Sequence, residues 1–431
     1  MCEACAQHLA RLRVWVIYLR CLWTVLGLDP AVVGRHAEVI SKTLRDRPYA
    51  EWSADPATAR LLAGLALAKP IQGPLHSYDD AFAAERQWWV DLKRKRIYAD
   101  EKFAAVRFTG PSTLDKPAPV IRTGTEEQAG VVKGTADKLD AVLKQFAADT
   151  DHAFAVCLVR RGVIVLHKAY GSRDGKPMTV DTPSWMASVT KPMSATLMLE
   201  LIDQKLVGLD DPVGKYLPAL RGIPMRKPLT IHHLYTHTGG LTVGWPGWSD
   251  DLHDVPERIA AYADRVPVGK DWNYTGTGNM LGSKAFEMVT GTALPVAFDK
   301  YLLGPLGCTA THVTDSHSDT YSIPLDMAKF AQMLLNRGSY GKHRFFREET
   351  FTKVMLPGKL DKLLGPGAKQ QFGFSLDGTT TKFGHNTASG ANFHIDADRE
   401  LVYIMTRNKY GKNQDKYNGM IRKVIDEGIR D

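Results

Sequence analysis

The stretch "WMASVTKPMSATLMLELIDQKLVG", Trp185 to Gly208, decides how the rest of the chain is read. It sets Ser188 three positions ahead of Lys191 and follows the lysine at once with Pro192. A proline is accommodated only near the start of a helix, so Ser188 falls at the opening of a helix whose remaining residues read as buried. Residues three apart share a helical face, so the hydroxyl and the amine can meet. The pair admits two readings. In one, Ser188 caps the helix and Lys191 is solvated. In the other, a partly desolvated lysine takes the proton of a hydroxyl that is a poor nucleophile without a base. The unpaired amides of the first turn would then favour an anion forming beside the serine. A Ser-x-x-Lys spacing alone does not choose, because it arises by chance in most chains of this size.

The surrounding segments choose. In order come "LVGLDDPVGKYLPAL", "KPLTIHHLYTHTGGL", "VPVGKDWNYTGTGNMLGSKAFEMVTG", "LLGPLGCTATHV" and "FGHNTASGANFHIDADRELVYIMTRN". Together with the Ser188 segment they resemble the serine β-lactamase-like superfamily. The resemblance is closest to the branch of class C β-lactamases, D-alanyl-D-alanine peptidases, D-aminopeptidases, family VIII carboxylesterases and nylon-oligomer hydrolases. It covers roughly Gly134 to the C-terminus and leaves the first hundred or so residues unaccounted for.

The resemblance implies Ser188 as the acylated nucleophile, Lys191 as its partner, and Tyr274 of "WNYTGTGN" as the tyrosine of a Tyr-x-Asn motif. A tyrosinate beside a cationic lysine can serve as general base, since positive charge favours the ionised phenol. The third motif falls on "GHNTASG", with His385, Asn386 and Thr387. The oxyanion would rest on the backbone amides of Ser188 and Ala388. This chain departs from the pattern twice. Gly276 stands where the second motif has its asparagine, which in β-lactam-processing enzymes helps hold the nucleophile–lysine network and the substrate amide. In the third motif Thr387 replaces the usual glycine, and a histidine replaces the lysine that grips a substrate carboxylate. Both changes remove features tuned to penicillins and peptidoglycan stems, and neither touches the serine, lysine or tyrosine.

The expected function is therefore a serine hydrolase, a carboxylesterase of the family VIII type on short-chain esters. The alternatives are a β-lactamase, D-aminopeptidase, DD-peptidase or other amide hydrolase, or a ligand-binding relative without turnover. A small-molecule ester or amide is the expected partner. No metal or organic cofactor is implied. Trp245 and Trp248, in the variable segment "GWPGWSDDLHDVPERI", are candidate apolar contacts at the rim. His232, His233 and His237 of "TIHHLYTHTGG" lack the i, i+4 pair with an acidic partner of a zinc helix and read as a structural turn. Asp210 and Asp211 read as turn and capping residues.

Composition sets the outer bounds. The 431 residues have ordinary apolar and aromatic content and a net charge of +8, which does not demand nucleic acid as a partner. The five cysteines, Cys2, Cys5, Cys21, Cys157 and Cys308, are odd in number and irregularly spaced, which argues against a disulfide framework. Cys2, Cys5 and His8 lack the second ligand pair a structural zinc needs. The most apolar stretch, 14–28, follows Arg11 and Arg13 but is interrupted by Arg20. It reads as a packed or interfacial amphipathic helix in preference to an export signal. A cytoplasmic location is thus slightly favoured, membrane association through 14–28 stays open, and oligomeric state is not readable.

Periodicity divides the chain in three. Residues 1–100 show helical spacing behind Asp or Asp-Pro start signals, and form an N-terminal helical region of unknown role. Residues 101–133, rich in Pro, Gly and Thr, read as a linker. From 134 to 431, an amphipathic helix at "TADKLDAVLKQFAADT" precedes a hairpin, "FAVCLVRRGVIVLHKAYG", turning at Arg160-Arg161-Gly162. A second hairpin, turning over Asp396 to Arg399, and a last helix close the sequence. The predicted fold is α+β, an antiparallel sheet flanked by helices with a mostly helical subdomain.

Overall fold

The computed structural model describes residues 108–217, 220–222, 225, 227–241, 266–355, 370–376 and 381–429. The helical region expected over 1–100, its apolar stretch 14–28, and the rim tryptophans Trp245 and Trp248 lie outside them. The chain divides into two units, Met1–Leu92 and Lys93–Asp431, and the described residues all belong to the second.

The elements run β1 (Ser112–Ala118), β2 (Arg122–Thr123), α1 (Thr135–Asp149), β3 (Phe154–Arg160) and β4 (Val163–Tyr170). The helical middle holds β5 (Ser184–Ala187), α2 (Thr190–Asp203), α3 (Ile231–Tyr235), α4 (Thr277–Thr290), β6 (Thr320–Ser322) and α5 (Pro324–Leu335). Then come β7 (Ser339–Arg344), α6 (Glu348–Met355), β8 (Gln370–Gln371), β9 (Phe374–Leu376), β10 (Lys382–Asn386), β11 (Asn392–Asp396), β12 (Leu401–Thr406) and α7 (Gln414–Gly428).

The first hairpin turns where its sequence places it. Arg161 and Gly162 both take positive φ, 50° and 71°, the conformation of the two-residue turns that match strand twist. The second hairpin pairs β11 with β12, and β12 lies antiparallel on β3, with Leu401 opposite Arg160 and Thr406 opposite Ala155. Strands from the two ends of the domain thus meet in one sheet of order β8-β9-β10-β11-β12-β3-β4-β2. It is antiparallel except at β2, which lies parallel to β4.

Alternation along β3 sends side chains to two cores. Phe154, Val156 and Leu158 pack with Leu139, Leu143 and Phe146 of α1 and with Tyr417, Ile421 and Ile425 of α7. Cys157 and Val159 face a larger core that includes α2, α4 and α5. Both described cysteines, Cys157 and Cys308, are buried free thiols. Helix α2 is buried from Thr190 through Leu201, the polar Lys191, Ser194, Thr196 and Glu200 included. Among the described residues no helix is long and apolar enough to cross a membrane.

The stretch read as a linker, 101–133, is structured where it is described. β1 pairs with β7, and β2 joins the main sheet at Val163 and Ile164. Most β1 side chains are exposed, so the strand carries no apolar alternation for a sequence reading to find. Its ladder comes from a partner more than two hundred positions away, as in the Ser112–Arg344 contact.

Candidate active site

Ser188 occupies the turn between β5 and α2. The backbone enters this turn through Ala187, whose φ of 43° is left-handed, an uncommon state for a residue with a Cβ. The turn is closed by the Val189 amide on the Met186 carbonyl (3.1 Å) and the Lys191 amide on the Ser188 carbonyl (3.1 Å). Thr190 Oγ1 donates to the Ala187 carbonyl at 2.7 Å. Val189 holds the cap position with no side-chain cap bond, and Lys191 is only 3 % exposed. Both halves of the capped-helix, solvated-lysine reading therefore fail.

The Lys191 amine stands 3.4 Å from Ser188 Oγ and donates to the main-chain carbonyl of His317 at 2.9 Å. It also lies 4.7 Å from the centroid of the Tyr274 ring, a cation–π distance. Burial lowers the lysine pKa from its ordinary 10.5 to about 8, with Asp315 pulling the other way. A neutral amine is thus accessible just above neutral pH, which a solvated lysine does not offer.

Tyr274 sits in the approach to α4 and is 40 % exposed. Its ring neighbours are His237 at 4.7 Å, His385 at 6.1 Å and Trp272 at 6.3 Å, centroid to centroid. His237 braces the segment from behind: its Nδ1 accepts the Thr275 amide at 3.3 Å, and its carbonyl accepts the Asn273 amide at 2.8 Å. Burial pushes the His237 pKa down to about 3, so it braces as a neutral ring. Partial burial of the phenol raises its pKa, with the facing Ser188 hydroxyl opposing. That direction runs against a tyrosinate base.

His385, on β10, is buried, with Nδ1 donating to the Asn386 carbonyl at 2.5 Å. Nε2 is buried with no hydrogen-bond partner among the described residues. Burial holds its pKa at about 4, the Asn386 bond opposing and nearby Lys191 adding to the depression. Neutral His385 does not supply the positive charge of the lysine it replaces. Asn386, the last residue of β10, and Ala388 beyond it are exposed. Thr387 instead turns its hydroxyl into its own loop, against Ser389 Oγ (2.9 Å) and the Ala391 carbonyl (3.0 Å). The contacts of Ser188, Lys191, Tyr274 and His385 thus converge, while Thr387 braces the turn that carries Ala388.

Residues 139–423 match the family model described as Beta-lactamase. The chain belongs to that family. Among similar proteins, Esterase EstB of Burkholderia gladioli is 33 % identical over 214 residues, which are 44 % of this chain and 54 % of that protein. Esterase/beta-lactamase LipL of Mycobacterium tuberculosis is 30 % identical over 223 residues, 49 % of this chain and 51 % of that protein. The chain spans about half the length of these curated relatives. A penicillin-binding protein homologue from Caulobacter crescentus superposes with a TM-score of 0.55 at 18 % identity. The superposition covers 65 % of this chain and 93 % of that structure, and shows the fold. The architecture is the β-lactamase/transpeptidase one.

Beyond the family motifs, the site includes residues that the sequence did not single out. The loop "TDSHSD" (314–319) winds on two aspartates. Asp315 Oδ1 accepts the amides of His317 (2.7 Å) and Ser318 (2.8 Å), and Asp319 Oδ2 accepts those of Thr314 (2.8 Å) and Asp315 (2.7 Å). From this loop the Ser316 carbonyl accepts Ser194 Oγ at 2.8 Å, and Ser194 in turn accepts Asn279 Nδ2 at 3.2 Å. Asp spacing marks such a loop as turn-forming, but nothing local shows that it meets Lys191. His232 and His233, expected on a structural turn, lie instead on the short helix α3, where His233 Nδ1 meets Thr230 Oγ1 at 2.7 Å within a capping box.

Proposed function

We propose that this chain is a serine hydrolase that works through an acyl-enzyme on Ser188 and takes carboxylic esters as substrates. The observation that carries the reading is the buried amine of Lys191 within reach of Ser188 Oγ, at 3.4 Å. Neutral Lys191 accepts the hydroxyl proton as Oγ attacks the ester carbonyl, and a tetrahedral oxyanion forms. The amides of Ser188 and Ala388 receive that charge. The carbon–oxygen bond to the alcohol then breaks. The leaving alkoxide takes the phenol proton of Tyr274, which the Lys191 ammonium replenishes. Water attacks the acyl-enzyme and gives one proton to Lys191; Ser188 leaves with that proton, and the product departs as the carboxylic acid, which loses its remaining proton to solvent.

The preference for esters rests on His385. A neutral imidazole does not hold the carboxylate that lactam and peptidoglycan substrates carry. The esterase names of two relatives point the same way, and the family VIII type is the fitting esterase class. LipL, named for both activities, keeps lactam hydrolysis as the second reading. p-Nitrophenyl butyrate and a chromogenic cephalosporin, each given to wild type and Ser188→Ala, test both. Equal ester rates in the two proteins would sink the proposal, and cephalosporin turnover far above ester turnover would promote the second reading.

A further inference from the structure

Gly276 follows Tyr274 by two residues, where the family pattern has an asparagine, and the structure gives a reason for the glycine. A Cβ at this position would lie 2.4 Å from His317 Cδ2, 2.7 Å from Cγ and 3.0 Å from Nε2. Contacts so short do not occur, so the imidazole of His317 already fills the space into which a side chain at 276 would grow. The clash is not with the far end of a flexible side chain, since it includes Cγ, the ring atom nearest the backbone. The His317 amide is tied to Asp315 Oδ1 at 2.7 Å, and its Nδ1 stands 3.3 Å from Asp315 Oδ2. Ser194 fixes the loop to α2 one residue earlier, through the Ser316 carbonyl.

The same residue makes a second contact through its backbone. The His317 carbonyl accepts the Lys191 amine at 2.9 Å, closer than the amine comes to Ser188. Placing Lys191 and filling the slot beside Tyr274 thus fall to one residue, 126 positions from the lysine.

We propose that His317 is the positioning and specificity-determining residue of this site. Its carbonyl anchors Lys191 beside Ser188, and its imidazole takes the place of the second-motif asparagine. The site consequently presents no side-chain amide to a substrate amide, and is left selective for esters over amides and lactams. The inference rests on the reading of Ser188 as nucleophile and deepens it.

The test is a double-mutant cycle on the full chain with Gly276→Asn, His317→Ala and both together. kcat and KM are measured separately on p-nitrophenyl butyrate and on a chromogenic cephalosporin, alongside the rate of fluorophosphonate labelling of Ser188. Gly276→Asn alone should lose about 100-fold in ester kcat and in labelling, because the clash shifts the His317 carbonyl and the lysine with it. His317→Ala, which keeps the carbonyl but adds no amide to the freed slot, should retain labelling within about tenfold, whereas the double variant, which sets an asparagine amide in that slot, should shift the ester-to-lactam ratio toward lactam. The double variant should recover at least about tenfold over Gly276→Asn, a coupling expected only of groups that share space.

A fully active Gly276→Asn, additive effects in the cycle, or an unchanged ester-to-lactam ratio in the double variant would each overturn the role of His317. Should Gly276→Asn fail to fold, the double variant, in which the clash is relieved, still decides through its substrate ratio and labelling rate. A wild type that fluorophosphonate does not label at Ser188 would bring down the nucleophile reading itself. Labelling without coupling brings down only His317.

Discussion

The amine of Lys191 meets the face of the Tyr274 ring, 4.7 Å from its centroid, while holding a 3.4 Å line to Ser188 Oγ. A cation over a ring face gains from the quadrupole. That arrangement ionises nothing, and the phenol's pKa lies above its ordinary value. In the proposed mechanism the base of the pair is therefore the lysine, with the tyrosine as proton donor.

The rate should follow the lysine's titration. With the Lys191 pKa lowered to about 8, the neutral base is scarce below that pH and predominates above it. kcat/KM for p-nitrophenyl butyrate should rise with pH along a single limb centred near 8. Lys191→Met should lose about 1000-fold together with the limb. A limb centred between pH 6 and 7 in wild type would point to a histidine instead.

Stability should carry the mark of the same titration. The folded state holds Lys191 at about 8 and the unfolded chain at its ordinary 10.5. Between those values the unfolded state binds more protons, so stability rises with pH across that window and the penalty is fully present below pH 8. The gap corresponds to about 3 kcal/mol at neutral pH. Lys191→Met should therefore melt above wild type at pH 7, and the advantage should shrink toward pH 10. Thermal melts at three pH values check this, and an advantage that does not vary with pH would contradict it.

Tyr274 as a donor predicts a dependence on the leaving group. p-Nitrophenolate departs without a proton, whereas a simple alkoxide does not. Tyr274→Phe should cost about 100-fold in kcat on ethyl butyrate and less than about tenfold on p-nitrophenyl butyrate. Equal losses on both substrates would mean that the tyrosine only shapes the site.

What could be read in the sequence was whatever is local or motif-bound. Pro192 places the start of α2, Arg161-Gly162 gives the first turn, and the apolar spacing of α1 and the strand patterns need no distant partner. Three features needed the folded chain. β1 lies on β7 through a ladder that leaves no apolar period in Ser112–Ala118. His237 read as a turn residue because its packing against Tyr274 comes from a backbone reversal with φ of 58°. Gly276 read as a missing asparagine, since its occupant, His317, arrives from another loop. A motif position shows what is absent, and packing shows what fills it.

His385, buried with Nε2 unpartnered and its pKa held near 4, offers a way to separate charge from shape at the third motif. Restoring a lysine here would set a second cation close to Lys191, and like charges each disfavour the other's ionised form. In His385→Lys the limb of kcat/KM should shift to lower pH than in wild type, because Lys191 sheds its proton more readily. The new charge should also grip a substrate carboxylate, so KM for a carboxylate-bearing cephalosporin should fall while KM for the uncharged butyrate ester should not. The ratio of the two kcat/KM values would move by about tenfold toward the lactam, roughly what one added charge-assisted contact supplies. If the limb stays in place while the lactam KM falls, the new lysine reaches substrate without sensing Lys191. If neither moves, position 385 does not face the substrate, and the ester preference must come from the His317 side of the site.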